Sequence, residues 1–185
     1  MIPRRRLLKA AGAAAALSPV TGRAATQCGV ADGAVTGGHG IALHGKPKYP
    51  ENFRHFDYLN SGAPKGGSLF LGAGGSTFDN LNPFIIRGTP AGGVAQFAFD
   101  RLMKRAEDEP FSYYALVAKS IAVPGDRTWA EFELDERARF HDGSLIAVAD
   151  IVFSLNTLRA KGRPFYRNYF RDVAKVEQTG PRKVR

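Results

Sequence analysis

Arg139-Phe140-His141-Asp142-Gly143 leads, after four residues, into Val148-Ala149-Asp150-Ile151-Val152-Phe153-Ser154-Leu155, and this stretch decides how the chain is read. Val148, Ile151, Val152, Leu155 and Leu158 stand at i, i+3, i+4, i+7 and i+10, the spacing of a helix with one apolar face. Gly162 lies where a C-terminal cap belongs. Asp142-Gly143 ahead of it is turn chemistry. The segment therefore predicts a tight turn followed by a helix that buries one side.

Outward from that helix the pattern changes period. Leu116–Val123 and Thr128–Leu134 read as strands joined by Pro124-Gly125-Asp126-Arg127, a strong hairpin signal. In the second strand Ala130, Phe132 and Leu134 alternate with Trp129, Glu131 and Glu133, so one face is core and the other wet. Residues 93–106 carry Val94, Phe97, Ala98, Leu102 and Met103 at three- and four-residue steps and predict a second helix. Ser68-Leu69-Phe70-Leu71 reads as a short buried strand running into a glycine-rich turn over residues 72–79. Residues 25–67 read as an irregular lead-in. At the other end Val173–Glu177 predicts a strand, Thr179-Gly180-Pro181 a turn, and Lys183-Val184-Arg185 the start of a returning strand. A hairpin cut within its second arm leaves unpaired backbone groups, so the expectation is the front portion of a longer protein.

Composition bounds the function. Of the 185 residues, 44% are apolar, 23% charged and 11% aromatic, which excludes a wholly disordered chain. The formal charge is +9, yet five of the 26 bases and none of the 17 acids fall in residues 1–24. The remaining balance is modest and argues against a nucleic-acid partner. Those first residues run from Arg4-Arg5-Arg6 through an apolar Leu and Ala segment to Gly22-Arg23-Ala24. The segment is shorter than the roughly 20 apolar residues of a membrane span and reads as a removable export signal cut after Ala24. Arg4, Arg5, Leu7, Leu8 and Lys9 resemble the bacterial twin-arginine motif, which implies a periplasmic destination. Cys28 is the only cysteine, so no intrachain disulfide forms.

Three segments together resemble the extracellular solute-binding proteins of family 5, the oligopeptide- and dipeptide-binding components of ABC importers. They are Lys65–Leu69 leading to Phe78–Pro83, Trp129–Leu134, and Arg139–Gly143 followed by Ala149–Ser154. His39–Gly45, His55–Asn60, Asp108–Phe111 and Gly162–Tyr166 are similar to the YejA-like branch. The resemblance covers roughly residues 39–185 and only the first third or less of a typical member. One departure is Ala147, where the family carries a Thr or Ser cap whose loss costs about 1 kcal/mol. The resemblance implies an α/β fold of class II (cluster C) type: two lobes around a cleft, a mixed sheet and flanking helices. Residues 68–185 would give the first part of lobe I and the start of its inserted sub-domain. It implies capture of peptide or peptide-like ligands, delivery to permease and ATPase subunits, and a monomer when full length.

No catalytic constellation and no cofactor motif is visible. Ser76, Thr77, Phe78, Asp79 and Asn82 are the candidate cleft-lining residues, because they follow the first strand, where α/β folds place ligands. The same residues also fit a plain tight turn. Gly72–Thr77 lacks the lysine of a phosphate-binding loop and the dinucleotide spacing. His141-Asp142 raises the alternative of an exported metal-dependent hydrolase, but no HExxH or HxH spacing accompanies it. Phe165, Tyr166, Tyr169 and Phe170 are interleaved with Arg163, Arg167 and Arg171. This mixture packs a sub-domain or contacts anionic groups on a peptide or muropeptide.

Overall fold

The computed structural model describes residues 35–68, 70 and 77–185. Among these, helix and sheet are mixed, as an α/β reading requires. Eight short strands run in chain order: β1 (Val35–Gly38), β2 (Gly40–Ala42), β3 (Met103–Arg105), β4 (Ser112–Ala115), β5 (Ala118–Pro124), β6 (Glu131–Leu134), β7 (Gln178–Gly180) and β8 (Lys183–Val184). Three helices join them: α1 (Val94–Phe97), α2 (Val148–Lys161) and α3 (Pro164–Tyr169). The strands form two sheets, β1-β5-β6-β8-β7 and β2-β4-β3. Every strand pair in them is antiparallel, where a mixed sheet was expected. The physical reason is the connectivity. A tight turn joins β5 to β6, and the longer excursions return to pair head to tail rather than through parallel crossovers.

The β5–β6 hairpin follows the sequence reading. Arg127 closes the turn by donating its N–H to the Pro124 carbonyl at 3.0 Å, and Asp126 Oδ1 accepts from the Thr128 N–H at 3.1 Å. β8 packs on the far side of β6, with Phe132 opposite Val184 and Glu133 opposite Lys183. The terminal hairpin is displaced from its expected position. Residues 173–176 belong to no strand, and the N–H and carbonyl of Glu177 exchange 2.9 Å bonds with Arg185. Pairing then runs through Gln178–Gly180, so the turn lies at Pro181-Arg182. The cause is Arg182, which anchors that turn by donating Nε to the Leu134 carbonyl at 3.1 Å and Nη2 to that of Asp135.

Helix α2 appears where the apolar spacing put it. Val148 is buried, and Ile151 and Val152 pack on a core made of Val117, Leu134, Ile146, Val148 and Val184. Gly162 ends the helix, but at φ −71 rather than in the left-handed conformation. Its glycine identity answers to space: a Cβ there would stand 2.5 Å from the Leu158 carbonyl oxygen, which accepts the Gly162 N–H at 3.0 Å. At the other end Ala147 provides no side-chain cap, and Asp150 reaches back to accept the Ala147 N–H at 2.8 Å. Half of a capping box is thus in place. Ala147→Ser adds the missing acceptor and is expected to raise stability by about 1 kcal/mol, read as a higher urea midpoint at unchanged slope.

The helix expected over residues 93–106 is corrected. Only Val94–Phe97 is helical, and Met103–Arg105 pairs with Tyr113–Ala115 as strand β3. The Leu102 carbonyl accepts the amides of both Leu116 and Ala118, at 3.1 and 3.0 Å. Cross-strand partners claim these backbone groups, and tertiary pairing overrides a helical spacing that is only locally favourable. The lead-in also holds order. β1 and β2 fall within it, flanking His39, whose carbonyl accepts the Ala115 N–H at 2.7 Å. Gly37-Gly38 and Gly40 conceal this in the sequence, since glycine is depleted in strands. Residues 43–67 form turns around a second, aromatic core of Tyr49, Phe56, Ala106 and Tyr114, with Phe53 against it. Of the buried strand expected at Ser68–Leu71, Ser68 and Phe70 are described; neither is in a strand and both are exposed, Phe70 by 95%. Leu69, Leu71, residues 72–76 of the expected glycine-rich turn, the segment read as an export signal and Cys28 lie outside the described residues.

Candidate functional site

The loop after the glycine-rich turn is built by its own polar side chains. Asp79 donates its N–H to the Thr89 carbonyl at 3.0 Å, and its Oδ1 accepts the Thr89 N–H at 2.9 Å and the Asn80 side-chain amide. Asn80 Oδ1 then accepts the Asn82 N–H, and Asn82 Oδ1 accepts the Phe84 N–H, each at 3.0 Å. These are successive Asx turns. Gly88, at φ +91, closes the loop; a Cβ there would lie 2.6 Å from Asp79 Oδ1.

Asp79 and Asn82 are therefore brought together in one loop, where their side chains hold backbone amides. Thr77 and Phe78 are exposed at its start, Phe78 by 62%. Ser76 lies outside the described residues.

What the loop leans on was not read from the sequence. Arg163, just before α3, donates its backbone N–H to the Phe84 carbonyl at 3.3 Å and its Nε to that of Ile85 at 2.8 Å. Phe84 packs edge-on against Phe99 at 4.8 Å and tilted against Tyr166 at 6.0 Å. Between loop, α1 and α3 lies an open groove of about 490 Å³, lined by Pro83, Pro90, Gln96, Arg163, Phe165 and Tyr166 among others. A guanidinium, an amide and a phenol stand there among prolines, small residues and aromatic faces, a mostly apolar lining with a few polar groups, as ligand pockets have. The signal within residues 163–171 was visible as an aromatic and basic mixture. Its meeting with residues 83–96, some 80 positions earlier, was not.

The His141-Asp142 turn offers less chemistry. Asp142 Oδ1 accepts the Ser144 N–H at 2.9 Å and the Ser144 hydroxyl at 2.7 Å, and these bonds hold its carboxyl below the usual range. His141 is exposed and makes no side-chain hydrogen bond among the described residues. Among those residues no three His, Cys, Asp or Glu side chains gather closely enough to hold a metal ion.

A further polar cluster ties the lead-in to the connection between β3 and β4. Lys48 Nζ bridges Asp108 at 2.6 Å and Asp57 at 3.0 Å, and the Tyr49 hydroxyl donates to Asp108 at 2.6 Å. Bonds from Lys48 and then Tyr49 hold the Asp108 carboxyl below its ordinary value, while Asp108 and then Asp57 raise Lys48. Every member is engaged, so the cluster is a clasp rather than a reactive site.

No protein-family model matches the chain. Several of its relatives are named as binding proteins, others only as YejA or y4wM, and the chain is homologous to this YejA-like group. The chain is 40% identical over 154 residues to the peptidoglycan-binding protein YepA of Agrobacterium fabrum, covering 80% of this chain and 25% of that protein. It is 40% identical over 157 residues to YejA of Escherichia coli, covering 85% of this chain and 26% of that protein. A second Agrobacterium fabrum protein, named a probable peptide-binding protein YejA, is 39% identical over 145 residues, covering 78% and 23%. The chain thus spans about a quarter of the length of these relatives, and the likeness to the YejA-like branch read from its motifs is a homology.

Proposed function

We propose that this chain is the opening part of an exported, two-lobed binding protein. It captures peptides or peptide-like solutes, peptidoglycan fragments among them, and delivers them to an ABC importer. One observation carries the reading: about 40% identity, across four fifths of the chain, to proteins named for peptide or peptidoglycan binding. The groove beside the Asp79–Asn82 loop, apolar with a few polar groups, supports it, and the twin-arginine-like leader residues support a periplasmic setting. Capture rests on closure of two lobes about a ligand, with backbone groups and bridging water reading its main chain. Residues 77–82 form one wall of the peptide-binding part of that cleft, with the groove beside them, and permease and ATPase subunits receive the loaded protein. The metal-dependent hydrolase is the weaker reading, because Asp142 is consumed by its own turn.

Calorimetric titration of the whole protein with di- to hexapeptides and a peptidoglycan-derived peptide is expected to give one-to-one binding. The affinity expected is roughly micromolar or tighter, about −8 kcal/mol. Stoichiometric zinc in the purified protein with no heat from any of these ligands would overturn the reading.

A further inference from the structure

Residues 151–171 contain Arg159, Lys161, Arg163, Arg167 and Arg171 and not one acid. Among the described residues only Arg171 of these five forms an ion pair, with the adjacent Asp172. Arg163 is held by its Nε on the Ile85 carbonyl, and no acceptor among the described residues engages its terminal Nη atoms. Beside it, α3 begins at Pro164, a residue already shaped for the first helical position. Four residues apart on this helix, Phe165 and Tyr169 set their rings nearly parallel, at 23° with centroids 5.7 Å apart. Both are largely exposed, at 64% and 69%. Tyr166 is drawn inward against Phe84, so the groove has one packed aromatic wall and one open aromatic face.

These features ask for a particular occupant. An apolar peptide side chain would cover the rings and leave Arg163, the base in the groove lining, without counter-charge. A simple carboxylate would answer Arg163 and leave the rings in water. A sugar ring bearing a carboxylate answers both. Its C–H groups are electron-poor and meet the negative face of an aromatic ring. Its carboxylate matches the planar fork of a guanidinium, and its hydroxyl and acetamido groups suit an amide such as Gln96. We infer that the groove and the open face of α3 form a subsite for the acidic amino sugar of a peptidoglycan fragment. This rests on the function proposed above and places the sugar of such a ligand next to the loop that meets its peptide.

The test compares N-acetylmuramyl dipeptide with the same dipeptide lacking the sugar, titrated calorimetrically into the whole protein. The sugar-bearing ligand is expected to bind about tenfold more tightly or better. The double variant Phe165→Ala/Tyr169→Ala removes only exposed rings, and is expected to erase that advantage while leaving the plain dipeptide unchanged. Phe153→Ala, a ring 70% exposed on α2 and outside the groove lining, is expected to alter neither affinity. Equal binding of the two ligands, or equal loss for both in the double variant, overturns the subsite while the peptide-binding function stands. So does a large fall in melting temperature, which would show the rings to be packed inside the whole protein. Binding of neither ligand while longer peptides still bind overturns the subsite alone, and heat from none of the peptides removes the proposed function as well.

Discussion

Tyr114→Ala is expected to lower the stability of the protein by about 3–5 kcal/mol, the cost of truncating a large buried aromatic side chain. Tyr114 is 0% exposed and forms the hub of the aromatic core. The rings of Tyr49, Phe53 and Phe56 stand 5.4, 5.2 and 5.7 Å from its own, each edge-on. Such edge-on pairs add to the burial energy because ring edges and faces carry opposite partial charge. Its hydroxyl is fully used as well, accepting the Tyr49 N–H at 3.1 Å and donating to Glu109. Tyr114→Phe separates the two contributions. It keeps the ring but leaves an amide and a carboxylate short of a partner, and is expected to cost about 1–3 kcal/mol. Equilibrium urea unfolding measures both. An alanine variant within 1 kcal/mol of the parent would show that the lead-in residues 43–67 do not pack on β4 as described.

In the other core, Leu134→Ala is expected to cost about 2–5 kcal/mol. Leu134 is 1% exposed and packs with Val117, Ile146, Val148 and Val184, which come from the bend before β5, the segment before α2, α2 and β8. The substitution therefore loosens the sheet and the helix together. Backbone bonds do not offset the loss: the Leu134 N–H donates to the Arg182 carbonyl at 2.8 Å, and these contacts persist without the side chain. The two cores share no residue. Combining Leu134→Ala with Tyr114→Phe is thus expected to sum the single losses to within about half a kcal/mol. A clearly smaller combined loss in urea unfolding would mean that the cores unfold separately.

Much of this architecture was legible from the residues. Val148–Leu158 announces α2 because its apolar stripe is long enough that no strand reproduces it. Pro124–Arg127 announces a hairpin because the turn residues supply their own backbone partners. Where the reading failed, the deciding partner was distant. Leu102 and Met103 fit a helical spacing, yet their backbone groups are claimed by β4 and the start of β5. β1 and β2 carry three glycines in seven residues and gain their order from β5 and β4, some 70–90 positions later. The candidate site divides the same way. Asp79 and Asn82 read as cleft-lining residues or as parts of a plain tight turn, and the structure shows the turn, in which their side chains hold backbone amides. The groove stayed hidden because Arg163 and Phe165 meet Pro83 and Pro90 only after folding.

The order of strands in the larger sheet has a consequence for synthesis on the ribosome. The β5–β6 hairpin emerges complete, but β1 has by then waited more than 80 residues for its partner, and β6 waits a further 50 for β8. Two edges of the growing sheet are consequently bare at different times, the first before the hairpin exists and the second after it. Because long-range pairings must recover the entropy of closing such loops, the hairpin serves as the seed on which the earlier and the later segments condense. A nascent chain stalled between residues 135 and 182 holds that seed with one side open to solvent.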